Sequence, residues 1–142
     1  MQNDDLYDYA AQQNIEVIPF PMDENGSMSL MTEAGDCYIG IDPRLQNGSI
    51  QERVHLSHEI GHCVTGSFYN IHAATDCRKR HENRADKWAI GRLIPVEALD
   101  DAVAHGCTEF WELADRFDVT EEFVKKAVCY YVHGNVAAEL YF

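Results

Sequence analysis

The sequence predicts an α+β fold: a small N-terminal antiparallel three-stranded sheet, followed by a helical core and C-terminal helices. Between residues 15 and 41 the chain breaks into short β-type runs, IEVIPF, SMSLM and CYIGI, separated by the turn-rich DENG and TEAGD. Beyond Pro43 the apolar residues recur at helical spacing, and capping residues precede several of the runs. At 142 residues with 46% hydrophobic content, the chain has the length of one domain and enough apolar surface to bury a core, so residues 1–142 are read as a single domain.

Each element has a local cause. Residues 3–13 place Leu6, Tyr9, Ala10 and Gln13 at helical spacing, which predicts a short first helix. The three β-type runs follow and are expected to form the sheet, which Asp42 and Pro43 bring to an end. In SIQE, Ser49 and Glu52 have capping-box spacing and start a helix that runs to about Thr65, where Gly66 can end it in a left-handed conformation. Ile50, Val54, Ile60 and Val64 are its expected apolar stripe, with His55, His58 and His62 on a different face. A second helix over about 77–93 repeats Ala85, Trp88, Ala89 and Leu93 before Pro95 breaks it. Shorter helices follow at 96–104, ended near Gly106, at 108–116, capped by Thr108, and at 120–133, capped by Thr120 with Glu121 and Glu122 at its positive dipole end.

The formal net charge of −13 repels phosphate backbones and anionic lipid, which argues against nucleic acid and membrane partners. No apolar run approaches membrane-spanning length, and the acidic start MQNDDLYDYAAQQ lacks the basic end and apolar run of a signal peptide, so a cytoplasmic location is expected. Cys37, Cys63, Cys77, Cys107 and Cys129 are odd in number and widely spaced. They match neither a disulfide framework nor a four-Cys zinc site and are read mostly as buried thiols.

The chemistry concentrates in HEIGH, residues 58–62, an H-E-x-x-H motif within the first long helix. Four residues apart on one helical face, the His58 and His62 rings can reach one metal ion. Glu59 lies about 100° further round, misplaced for a ligand but suited to act as general base on a water at the metal. A catalytic zinc needs a third protein ligand, and Glu82 is the candidate: it falls near the inward stripe of the next helix, where a carboxylate needs compensation. Asp86, one turn on, can accept the outer N–H of a ligating imidazole and fix its tautomer. His55, His72, His81, Cys63 and Cys77 carry suitable donor atoms but are left outside the metal shell. His55, Tyr69 and His72 are unranked candidates for the donor that an oxyanion requires.

E-x-x-x-D downstream of H-E-x-x-H resembles the ligand pattern of the gluzincin metallopeptidases. The longer run from Glu82 to Pro95, ENRADKWAIGRLIP, with its Trp88–Ala89 pair and Leu93-Ile94-Pro95 end, resembles the ImmA/IrrE family of metallopeptidases. Asp86, Trp88 and Arg92 stand where that family more often has Asn, Phe and an apolar residue. The resemblance implies a single metallopeptidase domain with one zinc ion, Mn2+ being an alternative divalent metal. It also implies narrow specificity, a helix-turn-helix transcriptional repressor as protein substrate, and a setting in phage or mobile-element regulation. An opposite field on a basic DNA-binding partner would speed encounter with this acidic chain. A strand edge, with Cys37–Ile41 the expected one, would pair with the extended substrate.

Two other classes fit parts of the sequence. FWELADRFDVTEEFVKKAV resembles a helix-turn-helix with Trp111, Phe117, Val119, Phe123 and Val128 as its core, but its second helix opens on two glutamates. A metal-containing binding module that sequesters a repressor or toxin without cutting it is the other; a base beside the metal speaks against it.

Overall fold

A computed structural model describes residues 2–69 and 74–142 of the chain. The elements are α1 (Asn3–Gln12), β1 (Ile15–Pro19), β2 (Ser27–Met31), β3 (Cys37–Ile41), α2 (Ile50–Thr65), α3 (Thr75–Leu93), α4 (Val96–Ala104), α5 (Phe110–Phe117) and α6 (Glu121–His133), with single 3-10 turns at Pro43–Leu45 and Ala138–Leu140. The class is α+β, with a three-stranded sheet near the N-terminus and most of the helices after it.

The sheet is mixed rather than wholly antiparallel. Its order is β1-β3-β2, with β2 antiparallel and β1 parallel to β3. Each connection reverses the chain, so β3 runs in the direction of β1, and because β1 skips β2 to pair with β3 that pairing is parallel. The tight turn through Gly35, at φ +89°, folds β2 back onto one edge of β3. β1, packed against α1, takes the other edge, and the Phe20 N–H extends that pairing to the Ile41 carbonyl at 2.8 Å. Cys37–Ile41 is therefore the central strand, and the strand edge beside the cleft described below belongs to β2.

α2 begins as the sequence suggests, with the Ser49 hydroxyl accepting the Glu52 N–H at 3.1 Å, and ends at Gly66 with φ +66°. Only half of the capping box forms. The Glu52 carboxylate accepts instead from Gly48 N–H, Asn3 Nδ2 and the Tyr7 hydroxyl, tying α1 to α2. Burial and the neighbouring carboxylate push the Tyr7 phenol up to about 12.

The expected apolar stripe of α2 is corrected. Ile60 is buried and Val54 half-buried, but Ile50 and Val64 are 37% and 36% exposed. The helix lies between the sheet and α3 and presents Leu56, Ser57, Glu59, Ile60, Gly61 and His62 to them, so part of its buried face is polar. α5 starts two residues later than expected: Glu109, not Thr108, is the cap, because the Glu109 and Glu112 side chains satisfy each other's backbone N–H groups. Thr120 caps α6 as expected, accepting the Phe123 N–H at 3.1 Å.

α2 and α3 make the most extensive helix–helix packing, and Gly61 sets their distance. A Cβ on Gly61 would lie 2.6 Å from the Ala85 carbonyl oxygen and 3.1 Å from its Cα. The reading of the cysteines as thiols also needs correction, because Cys37 of β3 and Cys63 of α2 form a disulfide with Cα atoms 6.0 Å apart. Folding brings the buried face of β3 onto α2, a juxtaposition that their separation of 26 residues does not advertise. Cys77, Cys107 and Cys129 are free. No helix among the described residues is long and apolar enough to cross a membrane.

Candidate metal centre

α2 and α3 carry the site. His58 and His62 project from consecutive turns of α2, and the Gly61–Ala85 contact brings α3 close enough for Glu82 to meet them. Ligand atoms of His58, His62 and Glu82 all lie within 4.8 Å of one another. His58 Nε2 is 2.7 Å from Glu82 Oε2, His62 Nε2 is 3.2 Å from Glu82 Oε1, and the two Nε2 atoms are 3.2 Å apart.

The outer nitrogens determine what these inner atoms can do. His58 Nδ1 is 2.8 Å from Asp86 Oδ1, and His62 Nδ1 is 2.5 Å from the Ser67 carbonyl oxygen. Both partners are acceptors, so both rings carry a proton on Nδ1, and as neutral imidazoles they would direct Nε2 lone pairs at each other and at a carboxylate. Such a convergence is unfavourable without a cation, and a divalent ion such as Zn2+ fits two imidazole nitrogens and one carboxylate.

The electrostatics express the same demand. Burial would lower the His58 pKa, but hydrogen bonds to Asp86 and Glu82 outweigh it and raise it to about 10. His62 is also raised, since burial is outweighed by Glu82 and by the Ser67 carbonyl. Glu82, despite burial, is held well below the usual carboxylate range by both histidines and by the Tyr69 hydroxyl, which donates to Oε1 at 2.8 Å. In the metal-free protein a proton stands in for the cation.

Glu59 stays out of the donor cluster, and the Ser27 hydroxyl donates to its Oε2 at 2.8 Å. Lys126 of α6 donates to Asp86 Oδ2 at 3.3 Å, offsetting the charge of the carboxylate that orients His58. An open cleft of about 1010 Å³ surrounds these groups, bordered by Ser27, Met28 and Ser29 of β2 on one side and by Phe123, Lys126 and residues 135–137 on the other.

The sequence-derived set His58, Glu59, His62, Glu82 and Asp86 is thus brought together. Ser27, the Ser67 carbonyl and Lys126 were missed, as no motif marks a serine on a strand or a carbonyl past a helix end. His55 lies beside the cluster, bonded to Ser27 rather than to the other rings. His81 stacks on Tyr69 at 6.0 Å, and Cys63 is engaged with Cys37. His72 lies outside the described residues.

A small sheet over a helix that bears both histidines, with the third donor on the next helix, defines an H-E-x-x-H metal-site protein of the metallopeptidase type. Residues 10–128 match peptidase family M78, the IrrE N-terminal-like domain, and the chain belongs to that family. No curated protein and no solved structure matches the chain.

Proposed function

We propose that the chain is a zinc-dependent metallo-endopeptidase of narrow specificity, acting in the cytoplasm on a regulatory protein, with a helix-turn-helix repressor as the substrate. The observation that carries this reading is the convergence of three lone-pair donors beside a carboxylate that belongs to none of them. His58, His62 and Glu82 would hold the ion. When bound, it would supply Lewis acidity to a peptide carbonyl and to water. Glu59 removes the proton of the attacking water and returns it to the leaving amine. Asp86 and the Ser67 carbonyl keep both rings in the tautomer that presents Nε2. The free edge of β2 offers backbone hydrogen bonds to an extended substrate segment along the cleft.

The family supports the peptidase reaction, while the repressor substrate rests on the resemblance to ImmA/IrrE proteins and on the attraction of a −13 chain for a basic partner. Of the core that the helix-turn-helix reading expects, Val119 and Phe123 are buried and Phe117 and Val128 pack against them, while Trp111 is 58% exposed; what weighs against DNA reading is the opening of α6 on Glu121 and Glu122 and the charge of −13.

The test pairs wild type with Glu59→Gln. Both should hold about one metal ion per chain, and only wild type should cleave a candidate repressor, with Glu59→Gln slower by about 10²- to 10⁴-fold and chelator abolishing cleavage. Equal cleavage by the two proteins would remove Glu59 as base. Stable capture of the repressor without any cut would make the protein a holding module.

A further inference from the structure

We propose that Ser27 and His55 are positioning residues for Glu59, a three-residue chain in which His55 fixes Ser27 and Ser27 fixes the carboxylate; this rests on the role of Glu59 given above. Ser27, the first residue of β2, is 8% exposed, and its Oγ is 2.8 Å from both Glu59 Oε2 and His55 Nδ1. A hydroxyl has a single proton, and here it goes to the carboxylate, so the bond to His55 must be donated by the ring. His55 is therefore the Nδ1–H tautomer, with Nε2 left as an acceptor. In that state it cannot donate to an oxyanion, which takes it off the list of three candidates for that task.

The arrangement is built by backbone geometry. Gly26, at φ +83°, turns the chain into β2 directly over α2, and a Cβ there would lie 2.6 Å from Leu45 Cδ1 and 3.6 Å from His55 Cε1. The Asp42 N–H holds the Gly26 carbonyl at 2.8 Å, anchoring the entry to the strand. Glu59 has three rotatable side-chain bonds, and a base that must meet one water gains rate when its rotamer is chosen in advance. His55 takes no part in the donor cluster, which is formed by His58, His62 and Glu82.

The experiment has two arms. Long-range 1H–15N spectra of the imidazole rings, assigned with His55→Gln, should show His55 as Nδ1–H in wild type and shifted toward Nε2–H in Ser27→Ala, in both metal-free and zinc-loaded protein. In the second arm, zinc-loaded Ser27→Ala should bind metal as wild type does and lose about 10- to 100-fold in kcat on a substrate that wild type cleaves, with little change in KM. Ser27→Thr, which keeps the hydroxyl, and His55→Gln, whose amide can still donate to Ser27, should each recover most of it. An Nε2–H tautomer for His55 in wild type, or an undiminished kcat in Ser27→Ala, overturns the proposal. Absence of cleavage by wild type defeats the peptidase reading instead, and the tautomer measurement still decides whether Ser27 and His55 are linked as described.

Discussion

At His58 a proton and a divalent ion would compete for the same nitrogen, Nε2. With its folded pKa near 10 and an unfolded value of about 6.5, the ring stabilises the metal-free protein fully below pH 6.5, and this contribution fades as pH rises toward 10. Urea denaturation of chelator-treated protein should therefore show stability declining between pH 7 and 10, with a shallower decline in Asp86→Asn, which lacks one of the two charged partners. A wild-type profile that is flat or rising over that interval would contradict the assignment. Metal affinity should run the opposite way, increasing with pH as the proton is easier to displace. This candidate site was legible because a helix fixes side-chain direction by spacing alone, which is why HEIGH, Glu82 and Asp86 could be read from the chain. Ser27 and Lys126 could not, since each arrives from an element whose approach depends on the finished fold.

The packing of α2 on α3 makes Gly61 the element-scale determinant of the site. A methyl group there meets backbone, which cannot rotate away, so α3 must shift and carry Glu82 with it. Gly61→Ala is expected to cost about 1–3 kcal/mol in denaturant unfolding and to weaken zinc in a competition titration, the second effect exceeding that of an Ala substitution at exposed Gly91. Wild-type zinc affinity in Gly61→Ala would show that the helices are not fixed by this contact. Helix starts and stops were largely readable, because Ser49, Gly66, Thr120 and Pro95 act on their own neighbours. The stripe of α2 was not: periodicity identifies an apolar face, whereas this helix buries Glu59 and His62 toward a cleft and leaves Ile50 and Val64 outside.

At the scale of the whole molecule, strand order and cysteine pairing were the features hidden from the sequence, and they have one origin. Both depend on which edge of β3 receives β1 and on what lies beneath β3, questions of long-range placement that alternation along a strand does not answer. The Cys37–Cys63 link closes a loop of 26 residues containing all of α2 but its last turn, for which chain entropy predicts about 3.5 kcal/mol of stability. Replacing both cysteines by alanine should lower the melting temperature of the metal-free protein by about 10 °C, read by differential scanning calorimetry. An unchanged melting temperature would show that the pair contributes no cross-link in solution.

Because Cys63 directly follows His62, that cross-link fastens the helix carrying His58 and His62 to the middle of the sheet. The protein should thus exist in two chemically distinct preparations, one clasped and one open, according to whether a thiol such as dithiothreitol is in the buffer. Unfolding temperatures and metal occupancies measured in one preparation cannot be carried to the other without first counting its free sulfhydryls.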